Sequence, residues 1–168
     1  MKNPIIISVV CAFIFMCCSC SINNNSNTEP ITFYYVHNEI EYSMASGVIA
    51  PMEFEPSREF NNHRLIIEKY FDGPTNYDCI SPFPAGTTLE DFQTDGDKAI
   101  LLLSPHMATL SGASMTVAMA CLTRTVIEIT NVKAMQVSIQ NNQIWGSDSV
   151  TLTLNSFSYY DNVQAVTD

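Results

Sequence analysis

Basic residues are what this chain has least of for its size: seven lysines and arginines stand against seventeen aspartates and glutamates, a net charge of −10. That balance excludes a nucleic-acid partner, whose phosphates need a basic face. It also excludes adsorption to anionic lipid through protein charge. An uninterrupted apolar run of the roughly 20 residues that cross a bilayer as a helix is missing too. Histidine is sparse, and His37, His63 and His106 lie too far apart for a metal-ligand spacing. No serine sits in the Gly-flanked turn of a hydrolase, and no paired carboxylates lie in apolar surroundings. The chain therefore reads as a non-enzyme with no cofactor.

What is present begins with an export signal. Lys2 precedes an apolar run from Ile5 to Cys18, interrupted by Ser8 and followed by Ser19, Cys20 and a polar tract. The run suits the apolar region of a secretory signal, and the small Ser19 before Cys20 fits a bacterial lipoprotein signal. Residues 1–19 are then removed, and Cys20 is acylated and holds the protein to a membrane. Cys11, Cys17 and Cys18 leave with the signal, so Cys79 and Cys121 remain. They either pair or stay as buried thiols; a bond would stabilise by roughly 3–4 kcal/mol in the chain-entropy model. Residues 20–30 are rich in Asn and Ser and read as a flexible tether. Residues 31–168 suit a single domain.

The pattern along that domain is β-rich. Ile31–Val36 reads as a strand, and Ile40, Tyr42 and Met44 continue its alternation. Gly47–Met52, with Pro51, reads as an edge piece leading into Phe54, because Pro at an edge discourages aggregation. Arg64–Phe71 reads as a short strand ended by Asp72-Gly73-Pro74, and 87–92 as one turn of helix capped by Thr87 or Thr88. Lys98–Ser104 is a buried strand. Met115–Ile129, with Met115, Val117, Met119 and Cys121 in alternation, reads as a long or divided core strand. Met135, Val137 and Ile139 alternate, as do Val150, Leu152 and Leu154, with Phe157 and Tyr159 keeping their parity. About seven short strands with turns between them predict an all-β fold, a single β-sandwich.

A few residues invite functional readings. Trp145 with Tyr159 and Tyr160 is a candidate aromatic platform for a glycan or other nutrient ligand. Asp148-Ser149-Val150 resembles a short O-glycosylation signal, with Ser149 as acceptor. Asp91, Asp95 and Asp97 carry only part of a calcium-loop spacing and read as a solvated turn. The methionines fall on core positions, where they pack.

The segments Ala99–Ser104, Met115–Ile129 with Leu122-Thr123-Arg124, and Ala134–Ile139 resemble the N-terminal half of fimbrillin-like lipoproteins of anaerobic Gram-negative bacteria. That resemblance implies a transthyretin-like sandwich and an outer-membrane, cell-surface role in fimbrial adhesion, assembly or anchoring. Its partners would be fimbrial or surface proteins joined by strand pairing. Leu122 and Arg124 carry over as structural positions. Such proteins usually hold two sandwiches, whereas this chain has room for about one, so an anchor or accessory role fits best. The alternative is a small lipoprotein binding a glycan or nutrient through Trp145, Tyr159 and Tyr160.

Overall fold

The computed structural model describes residues 30–38 and 48–157. Within them the chain forms β1 (Ile31–His37), β2 (Ile49–Phe54), α1 (His63–Phe71), β3 (Cys79–Ile80), β4 (Leu89–Asp95), β5 (Lys98–Leu103), α2 (Gly112–Thr130), β6 (Ala134–Ile139) and β7 (Val150–Leu152). Short 3-10 turns cover Pro105–Thr109 and Leu154–Ser156. One sheet has the order β2-β1-β3, all antiparallel; the other has the order β4-β5-β6-β7. Two sheets and a mostly β domain agree with the sequence reading. The pure all-β sandwich does not, because two helices contribute to the core.

The larger correction falls on residues 115–129, which belong to helix α2 rather than to a strand. Odd-numbered apolar residues fit a strand, but Met115, Met119, Leu122 and Val126 also recur at helical spacing and are all buried. The face of residue 117 decides the matter: Val117 turns away from the core that takes Ala118 and Met119. The helix satisfies two of its own threonine hydroxyls. Thr123 Oγ1 donates to Met119 O (2.7 Å) and Thr130 Oγ1 to Val126 O (2.6 Å), each one turn back. Asn131 ends α2 in the left-handed conformation (φ 54°) that Asn tolerates.

Helix α2 also explains why β5 and β6 run parallel, with Lys98 beside Ala134 and Leu103 beside Ile139. A parallel pair needs a crossover, and α2 supplies it. Its burial is what makes it apolar: it packs on β1 from one side and on β5 and β6 from the other.

Two shorter elements are exchanged as well. Residues 63–71 form α1, started by Asn62, whose side chain accepts from Leu65 N–H (3.0 Å). Ile66, Ile67 and Tyr70 give it a buried stripe of helical period. Residues 89–95 form strand β4, drawn out by a hairpin to β5 through Gly96 (φ +55°), where a two-residue turn needs a left-handed residue. The strands β1, β2, β5, β6 and the start of β7 lie where the sequence put them, while Ile40, Tyr42, Met44 and Tyr159 lie outside the described residues.

The core joins the layers. Phe33, Tyr35, Phe54, Tyr70 and Phe83 form a chain of ring contacts with centroids 4.8–6.3 Å apart. Leu101, Leu103, Met119, Leu122, Met135 and Val137 fill the space between α2 and the four-stranded sheet. Tyr35 and Tyr70 are buried without orphaned hydroxyls: Tyr35 donates to Tyr70 O (2.8 Å) and Tyr70 to Tyr34 O (2.5 Å). Burial pushes both phenols upward in pKa, so they are neutral donors.

Candidate functional site

The topology gathers several loops at one pole. Because β5 and β6 are parallel, the segment after Leu103 and the loop after Ile139 leave the sheet at the same end. Helix α2 begins there and runs back, and β1 lies antiparallel to it, with Tyr34 at Thr125 and Tyr35 at Cys121. Val36 and Val48 therefore sit at the pole, while Ile31 enters at the opposite end.

A groove of about 500 Å³ opens at this pole, lined by Val36, Val48, Phe83, Leu110 and Val117 together with Pro82 and Pro84. Its polar groups are the hydroxyls of Ser81, Thr109 and Ser114, and among the described residues no titratable side chain lines it. Val48 and Ile80 are exposed, and Tyr77 is 92% exposed. Such a lining can bury apolar surface. A Ser–His contact lies at the same pole, outside the groove lining, with Ser104 Oγ 3.3 Å from His106 Nδ1. Ser104 is buried and its Oγ accepts from Thr88 N–H (3.0 Å), so it fastens β4 to β5 and presents no open nucleophile.

The loop after β6 carries Trp145. Ile144 and Ser147 exchange both backbone hydrogen bonds (2.8 and 3.0 Å) around Trp145 and Gly146, which have φ 50° and 80°. Two successive left-handed residues make a type I′ turn. Ile144 is buried while Trp145 is 50% exposed. Beside it lies a polar depression of about 380 Å³ lined by Ile139, Asn141, Asn142, Gln143 and Asp148.

The strand edges are closed by specific groups. His37 N–H donates to Val48 O (3.1 Å), so the alternation of the ladder turns Tyr34 away from β2 and Pro51 toward solvent. Pro51 has no N–H to offer there. On the other side of β1, β3 reaches only Val36 and His37. The Tyr34 backbone groups that no strand pairs are buried and are satisfied instead by helix side chains: Thr125 Oγ1 accepts from its N–H (3.0 Å), and Tyr70 OH donates to its carbonyl. Along β4, Arg64 Nη2 donates to the carbonyls of Leu89 (3.4 Å) and Glu90 (3.2 Å), and Asp91 Oδ1 accepts from Phe92 N–H (2.9 Å). Strand β7 has three residues. These are the usual devices against edge-to-edge pairing.

The residues singled out by sequence separate widely. Cys20, Tyr159 and Tyr160 lie outside the described residues. Cys79 and Cys121 are free, buried thiols. Cys121 Sγ donates to Tyr35 O (3.7 Å), and burial pushes its thiol up to about 12. Burial also raises the Cys79 thiol. Ser149 is exposed and accepts from Gln136 Nε2 (3.4 Å). Leu122 is a core residue, and the Arg124 guanidinium lies 4.2 Å from the centre of the Tyr34 ring, a cation–π contact. Asp91 and Asp97 pair with Arg64 and Lys133. Sequence reasoning missed the groove; the apolar Pro82-Phe83-Pro84 in an otherwise irregular stretch was its one local sign.

Two sheets, one crossover helix and an apolar groove at one pole define a small, mostly β domain with two helices. The family model described as "Germane: Sporulation and spore germination" matches residues 32–144, and the chain belongs to that family. Among solved structures it is similar to the first GerMN domain of the sporulation protein GerM from Bacillus subtilis. The TM-score is 0.51 at 14% identity, covering 70% of this chain and 86% of that one. It is also similar to the tandem GerMN domains of the same protein (TM-score 0.53, 15% identity), where 79% of this chain spans 48% of the other. No curated protein matches it by sequence. These matches overturn the fimbrillin-like resemblance and, with it, the fimbrial adhesion, outer-membrane and glycan-binding readings. The physical reason is α2, since the segment that carried the resemblance is a helix.

Proposed function

We propose that this chain is a non-enzymatic protein-interaction domain serving sporulation or spore germination, held at a membrane by a lipid on Cys20. Family membership supports the process, and the relative with two such domains in one chain supports a modular role. The observation that carries the interaction reading is the groove: an apolar depression with no titratable lining among the described residues, with Val48 exposed in it and Ile80 and Tyr77 exposed nearby. Strand pairing, the partner mode expected from sequence, has little free backbone to use among the described residues. Side-chain docking at the pole replaces it.

Photo-crosslinking in the native host tests the reading. A benzoylphenylalanine at Val48 or Leu110 is expected to give an adduct of discrete mass, while one at Lys133, on the opposite end, gives none. Equal labelling at both ends, or none at either, would refute it. Deleting the chain is expected to lower the yield of heat-resistant spores or slow their germination.

A further inference from the structure

Three non-glycine residues among those described have positive φ: Asn131, Asn141 and Trp145. The first two are asparagine, the residue that tolerates the left-handed region because its short polar side chain bonds locally. The third is a tryptophan at the first central position of a type I′ turn, where Asn, Asp or Gly is the rule. A bulky residue there is strained; the Ile144–Ser147 closure holds it in place, and strained positions of this kind cluster at sites of binding. The ring is not hidden to repay the strain: Trp145 is 50% exposed, while its neighbour Ile144 is fully buried and supplies the anchoring.

We infer that Trp145 is a recognition residue, an anchor that inserts into a protein partner docking at the pole; this rests on the interaction reading above. Tryptophan is the side chain most enriched at binding hot spots, offering a large apolar face and one N–H donor. The matching partner presents an apolar socket with a carbonyl acceptor. Its rim is basic, because Asp148 stands beside the loop and the chain carries −10 overall. A second copy would bring the same negative charge and is disfavoured.

A bilayer is the other surface that takes an indole, and the geometry argues against it. Ile31 enters at the end opposite Trp145, with α2 spanning ~28 Å between the two ends. Residues 20–30, fully extended at ~3.3 Å each, reach roughly 36 Å. A tether of that reach has to spend most of its extended length along the domain to bring the pole to the membrane.

Trp145 is the single tryptophan of the chain, so fluorescence reads this site alone. The test combines three measurements on the mature, tethered protein. Trp145→Asn, which suits the turn, should shift Tm by less than about 3 °C, relief of strain offsetting lost packing. In the native host it should abolish the adduct formed by benzoylphenylalanine at exposed Asn142, and Trp145→Phe should retain part of it. Vesicles of phosphatidylcholine should leave the emission maximum unmoved. A fall in Tm beyond about 8 °C would make Trp145 a packing residue and overturn the inference. So would an adduct that survives Trp145→Asn, an adduct of twice the chain's mass, or a blue shift on vesicles. Adducts at Val48 and Leu110 with none at Asn142 would sink this inference and leave the interaction reading standing. Absence of adducts at all three positions would sink both.

Discussion

Thr125 and Thr123 offer a sharp test of what closes the edge of β1. Both are completely buried on α2. Thr125 Oγ1 is the acceptor for Tyr34 N–H at 3.0 Å, ninety-one residues away in sequence, at the point where β3 has stopped pairing. Replacing Thr125 by the near-isosteric Val keeps the volume and the helix propensity but leaves a buried backbone donor without a partner. An unsatisfied buried group costs about 1–3 kcal/mol; taking the middle, Thr125→Val should lose about 2 kcal/mol. For a domain of this size that is a fall in Tm of roughly 6–8 °C. Thr123 Oγ1 donates to Met119 O, a helical carbonyl. Thr123→Val therefore removes a donor and strands no partner, and the loss should stay below about 1 kcal/mol. Urea denaturation of both variants, followed by the emission of Trp145, measures the pair. Equal losses, or a larger loss for Thr123→Val, would refute the idea that Thr125 substitutes for a missing strand.

Other consequences are equally direct. Pro51→Val restores an outward N–H on β2 and should raise concentration-dependent light scattering, with unchanged scattering counting against edge protection. Arg64→Ala removes the bonds to Leu89 and Glu90 carbonyls and the pairs with Glu68 and Asp91; as the side chain is part-exposed, about 1 kcal/mol is expected, read from the urea midpoint. Stability should also fall in alkali. Cys121 is raised from 9.0 to about 12 and Cys79 is raised from the same value, so the folded state holds these protons longer than the unfolded chain does. The Cys121 contribution is whole below pH 9 and is lost as the pH climbs toward 12, at up to ~1.4 kcal/mol per pH unit, and Cys79 acts in the same direction. The buried tyrosines add to the slope above pH 10. A urea midpoint that is flat from pH 8 to 11 would contradict this, and Cys121→Ala should soften the onset.

The sequence by itself determined the elements whose pattern has one meaning. The β-rich run Ile31–Val36, the apolar run Ala99–Leu103 and the alternation of Met135, Val137 and Ile139 marked strands, and Pro51 marked an outer edge. The placement of Met115, Met119 and Met135 as packing residues was equally legible, since their neighbours were apolar and no ligand set accompanied them. The scarcity of basic groups limited the partners before any fold was known.

Tertiary structure decided the rest. Met115–Ile129 is apolar at both a strand and a helical period, and only its position between β1 and the β5–β6 pair selects the helix, because a parallel pair requires a crossover of that length. Residues 63–71 and 89–95 exchanged roles for a related reason: Tyr70 had to reach the aromatic core, and Leu103 had to find a partner strand. The pole was beyond reach of any local pattern, as its lining comes from five separate stretches of chain. Trp145 was visible in the sequence as an aromatic, but its left-handed backbone was not. That conformation follows from the closure of the turn by Ile144 and Ser147, and it is what turns a lone tryptophan into a candidate for recognition.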